Sequence, residues 1–183
     1  MDLSKKYFKL IITGAVNSGK TTFVKAISEI EPISTEAPVS EAKVQKIKKM
    51  TTVAFDYGRL TIDDEYVLNI YGTPGQARFN FVWDALAVKA IGVIFLVDSS
   101  SEESILETLS IYDYFSAKFN LPSVVAVTKL DLENAISFED IQMLLNLNDE
   151  VIIPCQATEK EQVKNVLIAL MNEIMKKENI NFS

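Results

Sequence analysis

The sequence predicts an α/β fold, a single domain with a mostly parallel sheet, one antiparallel strand and helices on both faces, and three observations lead there. Short β-branched apolar runs alternate with amphipathic stretches, the order produced by parallel strands joined through helical crossovers. Two of these runs, Ile91 to Val97 and Ser123 to Thr128, are apolar without interruption, as strands covered on both faces are. The 183 residues are 48% hydrophobic and 23% charged, which fits one globular domain over 1–183 with a sizeable core and disfavours disorder.

In chain order, Tyr7 to Thr13 reads as the first strand and Lys20 to Glu31 as the first helix. Pro32 to Met50 sustains no period and is rich in Pro, Ser, Glu and Lys, so it is expected to be a long loop with at most a short helix around Val44 and Ile47. Thr51 to Tyr57 and Tyr66 to Tyr71 are expected to be two strands of a hairpin meeting near Gly58. The central strand 91–97 leads into a helix over Ser101 to Phe119, opened by Ser101-Glu102-Glu103-Ser104 with capping and acidic residues. After the strand 123–128 come a helix over Ser137 to Leu147 and a short edge strand, Val151 to Pro154. The last helix, Glu159 to Lys177, carries Val163, Val166, Leu167, Leu170, Met171 and Ile174 on one face.

Composition excludes several chemistries. Lys and Arg number 18 against 25 Asp and Glu, a net charge of −7 that opposes general binding to nucleic acid. The chain has no histidine and one cysteine, Cys155, which removes His-dependent nucleophilic triads and the common zinc sites and is at odds with a disulfide scaffold. No apolar run reaches the roughly 20 residues of a membrane span. Met1 to Lys6 lacks a signal-peptide core and a myristoylation glycine, and Asn181-Phe182-Ser183 offers no prenylation cysteine. A reducing, cytoplasmic setting is the expectation.

Two motifs carry the chemistry. Gly14-Ala15-Val16-Asn17-Ser18-Gly19-Lys20-Thr21 has the phosphate-loop spacing, follows an apolar strand and opens a helix. Backbone N–H groups from Gly14, Val16, Asn17, Ser18 and Gly19 through Thr22 would then face an anion at the helix N-terminus. Lys20 would reach the β- and γ-phosphates and the Thr21 hydroxyl would ligate Mg²⁺. A chance Gly-rich turn is the bland alternative. The second motif is Thr128-Lys129-Leu130-Asp131, at the C-terminal end of a buried strand, where open α/β sheets bind ligands. A carboxylate there accepts two hydrogen bonds from the N1–H and 2-amino groups of guanine, donors that adenine lacks on that edge, while the Lys129 stem would lie along the base. A strand-end acid that merely caps the next segment stays open as the alternative.

With these motifs in this order the chain resembles the Ras-like small GTPases over nearly its whole length. That resemblance implies a P-loop NTPase domain that binds GTP and GDP with Mg²⁺ and hydrolyses GTP slowly. Met50 to Asp56 is similar to the end of switch I, where a threonine ligates Mg²⁺ and senses the γ-phosphate; Thr52 aligns best, with Thr51 the alternative. Gly72-Thr73-Pro74-Gly75-Gln76 resembles switch II, implying a γ-phosphate contact from the Gly75 N–H and a water-orienting role for Gln76. Cys155-Gln156-Ala157-Thr158 resembles the last base-contacting loop, with Gln156 and Ala157 at the base. The resemblance further implies an activating partner and an effector on segments near 32–52 and 72–83, a roadblock-type protein among the candidates.

The departures are specific. Gly72 replaces the family's Mg²⁺-holding Asp, Thr128 replaces Asn, and Val16 replaces a common glycine. These features, with Val97-Asp98-Ser99-Ser100, resemble the prokaryotic MglA-like and signal-recognition-particle-receptor-β-like branches. Asp98 is read as a structural cap or as a stand-in for the missing acid, Lys43, Lys46, Lys48 and Lys49 as a solvated face or a partner contact, and Phe79, Phe81 and Trp83 as core or as a partner surface. Arg78 is the nearest arginine to the site. A non-hydrolysing GTP-binding scaffold and an ATP-using phosphotransferase are the competing functions.

Overall fold

The structure, a computed structural model, describes residues 5–37 and 53–177. Its strands are β1 (Lys6–Gly14), β2 (Ile33–Ala37), β3 (Val53–Thr61), β4 (Tyr66–Gly72), β5 (Ala90–Asp98), β6 (Ser123–Thr128) and β7 (Val151–Pro154). The helices are α1 (Lys20–Ile27), α2 (Asn80–Ala87), α3 (Glu102–Lys118), α4 (Phe138–Leu145) and α5 (Lys160–Lys177). One seven-stranded sheet runs in the order β2-β3-β4-β1-β5-β6-β7. β3 runs antiparallel to both of its neighbours, β2 and β4, and the other described pairings are parallel, which is the predicted architecture.

Two cores sandwich the sheet. On one face Leu10, Ile12, Phe23, Val24, Ile94 and Leu96 pack against Val163, Val166 and Leu170 of α5. On the other Ile11, Phe95, Val97 and Val125 pack against Trp83, Ile105, Ile111, Phe115 and Ile141. The buried stretches Leu10–Ile12, Val93–Val97 and Val124–Val127 alternate between the two cores, so their side chains are apolar on both faces.

Two boundaries differ from expectation. Residues 33–37 form strand β2, antiparallel to β3 in the register Ile33↔Tyr57 to Ala37↔Val53, where a loop is predicted. The pairing supplies the backbone hydrogen bonds that the polar sequence Ser34-Thr35-Glu36 does not signal by hydrophobic pattern. Val44, Ile47 and the lysines at 43, 46, 48 and 49 lie outside the described residues. The hairpin also turns at 62–65, with Ile62 N–H donating to Tyr66 O at 2.9 Å, and Gly58 is inside β3. Gly58 is small because α1 crosses it: a Cβ there would meet Val24 Cγ1 at 2.8 Å and Ser28 Cβ at 3.0 Å. The first helix ends at Ile27 rather than Glu31, with Ser28 in extended backbone at its C-cap.

Candidate functional site

The site lies along the C-terminal ends of β1, β5 and β6, the edge where open α/β sheets gather ligands. Gly14 ends β1 at φ +142°, and a Cβ there would stand 2.3 Å from Leu96 O on β5, so no other residue lets the chain turn this close to the sheet. Asn17 (φ 65°) and Gly19 (φ 97°) take left-handed conformations that wrap the loop around the start of α1. Gly19 is the N-cap of α1 and offers no side-chain cap, which leaves the helix's first N–H groups for an anion. Lys20 Nζ folds back onto the loop, 3.0 Å from Gly14 O and 2.5 Å from Ala15 O. Burial lowers its pKa to about 8, against opposing pulls from Asp56 and Glu107.

Thr21 and Thr22 begin α1, exposed toward the site. The Thr21 hydroxyl donates to Asp56 Oδ2 at 2.6 Å. Asp56 is buried on β3 opposite Gly72 of β4, and a Cβ on Gly72 would meet Asp56 Cβ at 3.1 Å and Oδ2 at 3.2 Å. A carboxylate therefore stands beside Gly72 from across the hairpin. Sequence reasoning passed over Asp56; its signal was a lone acid amid the apolar and β-branched residues of Thr52-Val53-Ala54-Phe55-Asp56. Among the described residues no group of three His, Cys, Asp or Glu converges. The oxygen pair Thr21–Asp56 suits a hard divalent cation completed by phosphate oxygens and water, so these residues fit Mg²⁺. Thr52 and Thr51 lie outside the described residues.

Asp98 is engaged by other partners. Its Oδ1 accepts from the Ser100 N–H at 2.9 Å and from the Ser100 hydroxyl at 2.6 Å, and its Oδ2 pairs with Lys129 Nζ at 2.5 Å. Burial pushes the Asp98 carboxyl up, and these partners bring it below the usual carboxylate range. The cap reading holds, with an ion pair added that directs the Lys129 ammonium; Lys129 itself takes φ 62°. Thr128 Oγ1 lies within hydrogen-bond distance of two carbonyls, Ser18 O at 3.0 Å and Val97 O at 3.1 Å, which share its single proton, so a threonine ties this segment to the phosphate loop. Asp131 is exposed on the same edge. The last loop joins them: Ala157 Cβ lies 3.5 Å from where a Cβ on Gly19 would be, and Gln156 N–H is held by Gln162 Oε1 at 2.7 Å. Cys155 is buried, and burial pushes its thiol up to about 11, so it is a packing residue.

The second switch-like segment is anchored at its root. Thr73 Oγ1 bonds Thr13 Oγ1 at 2.7 Å, Thr73 N–H donates to Ile12 O at 2.9 Å, and Trp83 Nε1 donates to Pro74 O at 2.8 Å. Gly75 then presses on the phosphate loop, where a Cβ would meet Val16 N at 2.6 Å and Ala15 C at 2.7 Å. Gln76 and Val16 are exposed beside it. Trp83 is core, 2% exposed against Tyr114 and Phe115, whereas Phe81 is 39% exposed. Arg78 lies over the Phe79 ring, 4.8 Å from its centroid, rather than reaching the phosphate loop.

No helix among the described residues is long and apolar enough to cross a membrane. The chain is 25% identical over 173 residues to ADP-ribosylation factor-like protein 3 of Saccharomyces cerevisiae, covering 89% of this chain and 83% of that one. It is 26% identical over 141 residues to human ADP-ribosylation factor-related protein 1, covering 75% and 67%. An uncharacterized protein of Methanocaldococcus jannaschii is 26% identical over 171 residues, 93% of this chain and 99% of its own. A family model described as conserved hypothetical ATP binding protein matches residues 12–180, which span the phosphate loop, the Thr128 to Asp131 segment and every strand except the first six residues of β1. The chain belongs to that family of P-loop nucleotide-binding proteins.

Proposed function

We propose that the chain is a guanine-nucleotide switch that binds GTP and GDP and hydrolyses GTP slowly. The observation that carries this reading is the Thr128 hydroxyl on Ser18 O: it joins the base-side motif to the phosphate loop, so that Asp131 and Lys20 serve one ligand. The similarity to two ADP-ribosylation-factor-like proteins supports the small-GTPase side of the reading. The family model's description favours a second reading, ATP in the same site.

In the guanine reading Asp131 accepts from the base, and the Lys129 stem flanks it. The loop N–H groups and Lys20 neutralise the phosphates, and Gly75 offers its N–H to the γ-phosphate. Thr21 and Thr52 of the first switch-like segment would hold Mg²⁺, with Asp56 accepting the Thr21 hydroxyl proton and orienting that ligand. When bound, Mg²⁺ would supply neutralisation of the phosphate charge. Gln76 orients a water whose oxygen bonds the γ-phosphorus as the bond to the β–γ bridging oxygen breaks and GDP leaves. No side chain forms a covalent intermediate. Arg78 faces Phe79, so an activating partner supplies what the site lacks, and the exposed Phe81 is part of the surface on which it or an effector of roadblock type docks. The likeness to MglA-like GTPases and a cytoplasmic location belong to this proposal.

Competition of GTP and ATP for the purified protein, with Asp131→Asn beside the wild type, tests it. The expected outcome is a preference for GTP in the wild type that moves toward XTP in the variant, because an amide cannot accept both guanine donors. Equal GTP affinity in both, or a preference for ATP, favours the second reading.

A further inference from the structure

The phosphate loop is supported from beneath by α3. Ala15 is fully buried, and its N–H donates to Thr108 Oγ1 at 3.0 Å, joining the loop to the middle of α3 across 93 residues. Thr108 is 1% exposed. Hydroxyls inside a helix commonly return to the carbonyl one turn back, as Ser110 does here to Leu106 O at 3.0 Å. The Thr108 hydroxyl instead reaches outward, accepting from Ala15 and donating to Leu96 O of β5 at 3.4 Å. Leu96 O is the carbonyl over which Gly14 turns, so Gly14, Ala15, Leu96 and Thr108 form one packed junction beneath the loop.

We infer that Thr108 is a positioning residue of the phosphate loop: its hydroxyl fixes the Ala15 peptide, and through it the direction of the N–H groups that follow. This rests on the reading of the loop as a nucleotide site. Valine fills the same volume but leaves the Ala15 N–H buried without an acceptor, which the loop relieves by shifting away from α3.

The test is fluorescence titration of GDP and GTP on the full chain in wild type, Thr108→Val and Thr108→Ser, with amide exchange at Ala15 and thermal melting in parallel. Thr108→Val is expected to weaken both nucleotides on the order of tenfold and to speed Ala15 exchange, and Thr108→Ser to restore both. Unchanged affinity in a folded Thr108→Val protein overturns the inference, as does failure of Thr108→Ser to restore it. Where Thr108→Val does not fold, Thr108→Cys, close in size with a weak acceptor, is expected to show the same loss, and unchanged affinity there overturns the inference equally. A wild type that binds neither nucleotide overturns the nucleotide reading itself and the inference with it, and is told apart because the unsubstituted protein is then silent.

Discussion

Asp56 and Gly72 face each other across the β3–β4 hairpin, and the pair moves the acid of the site from one strand to its neighbour. Partners of a bound metal's ligands matter about 10–100-fold in metal affinity. Asp56→Asn is therefore expected to raise the Mg²⁺ needed for GTP binding by a factor in that range, read by titrating Mg²⁺ at fixed GTP. Asp98→Ala should leave that midpoint in place, since its carboxylate is engaged by Lys129 and Ser100. Lys20 gives a pH signature. Its folded pKa of about 8 lies below the ordinary 10.5, so the nucleotide-free chain gains stability from this group as pH rises from about 8 to 10.5, where the unfolded chain holds the extra proton. Nucleotide affinity runs the opposite way, because the phosphates need the ammonium. The dissociation constant for GTP is expected to climb above pH 8 in wild type and to lose that limb in Lys20→Met; a wild-type affinity flat to pH 9.5 would refute the assignment of Lys20 to the phosphates.

Among the elements, the hairpin and α1 show how one missing side chain sets a packing distance. Gly58 lies where α1 crosses β3, and its added Cβ would press on Val24 and Ser28. Overpacking of this kind costs about 1–3 kcal/mol, so Gly58→Ala is expected to lower the unfolding free energy by that much, seen as a lower urea midpoint at an unchanged m-value. The crowded atoms are side chains of α1, which can shift. At Gly75 the crowded atoms are backbone of the phosphate loop, which has less room to yield. Trp83 works at the same scale: buried against α3, it holds Pro74 through its indole N–H and so carries the position of Gly75 into the core.

For the whole molecule, the two cores lie on opposite faces of the sheet, and the edge of the candidate site draws on β1, β5 and β6 together with α1, the 128–131 segment and the loop at 155–157. A nucleotide that bridges these segments binds the folded chain alone. At a concentration of 100 times its dissociation constant, a ligand stabilises by about 2.7 kcal/mol. GTP is expected to raise the melting temperature measurably at concentrations where ATP does not, and Asp131→Asn to erase that difference. Equal shifts by the two nucleotides would place the discrimination elsewhere than Asp131.

What was legible in the sequence is what local chemistry dictates. Uninterrupted apolar runs marked the parallel centre, because strands covered on both faces have no polar face to interrupt them. The glycine spacing from Gly14 to Lys20 marked the loop, because backbone that turns under an anion needs positive φ. Strand β2 escaped notice because an edge strand takes its hydrogen bonds from a neighbour distant in sequence and needs no apolar pattern of its own. Asp56, Thr128 on Ser18 and Thr108 on Ala15 were equally hidden: each joins residues separated by 35, 110 and 93 positions, respectively, and only the sheet order brings them together. The sequence by itself determined the fold class and the strand–loop–helix position of the phosphate-loop motif. The tertiary structure decided which acid stands beside Thr21 and what holds the loop in place, because those contacts follow from strand register and helix packing rather than from local sequence pattern.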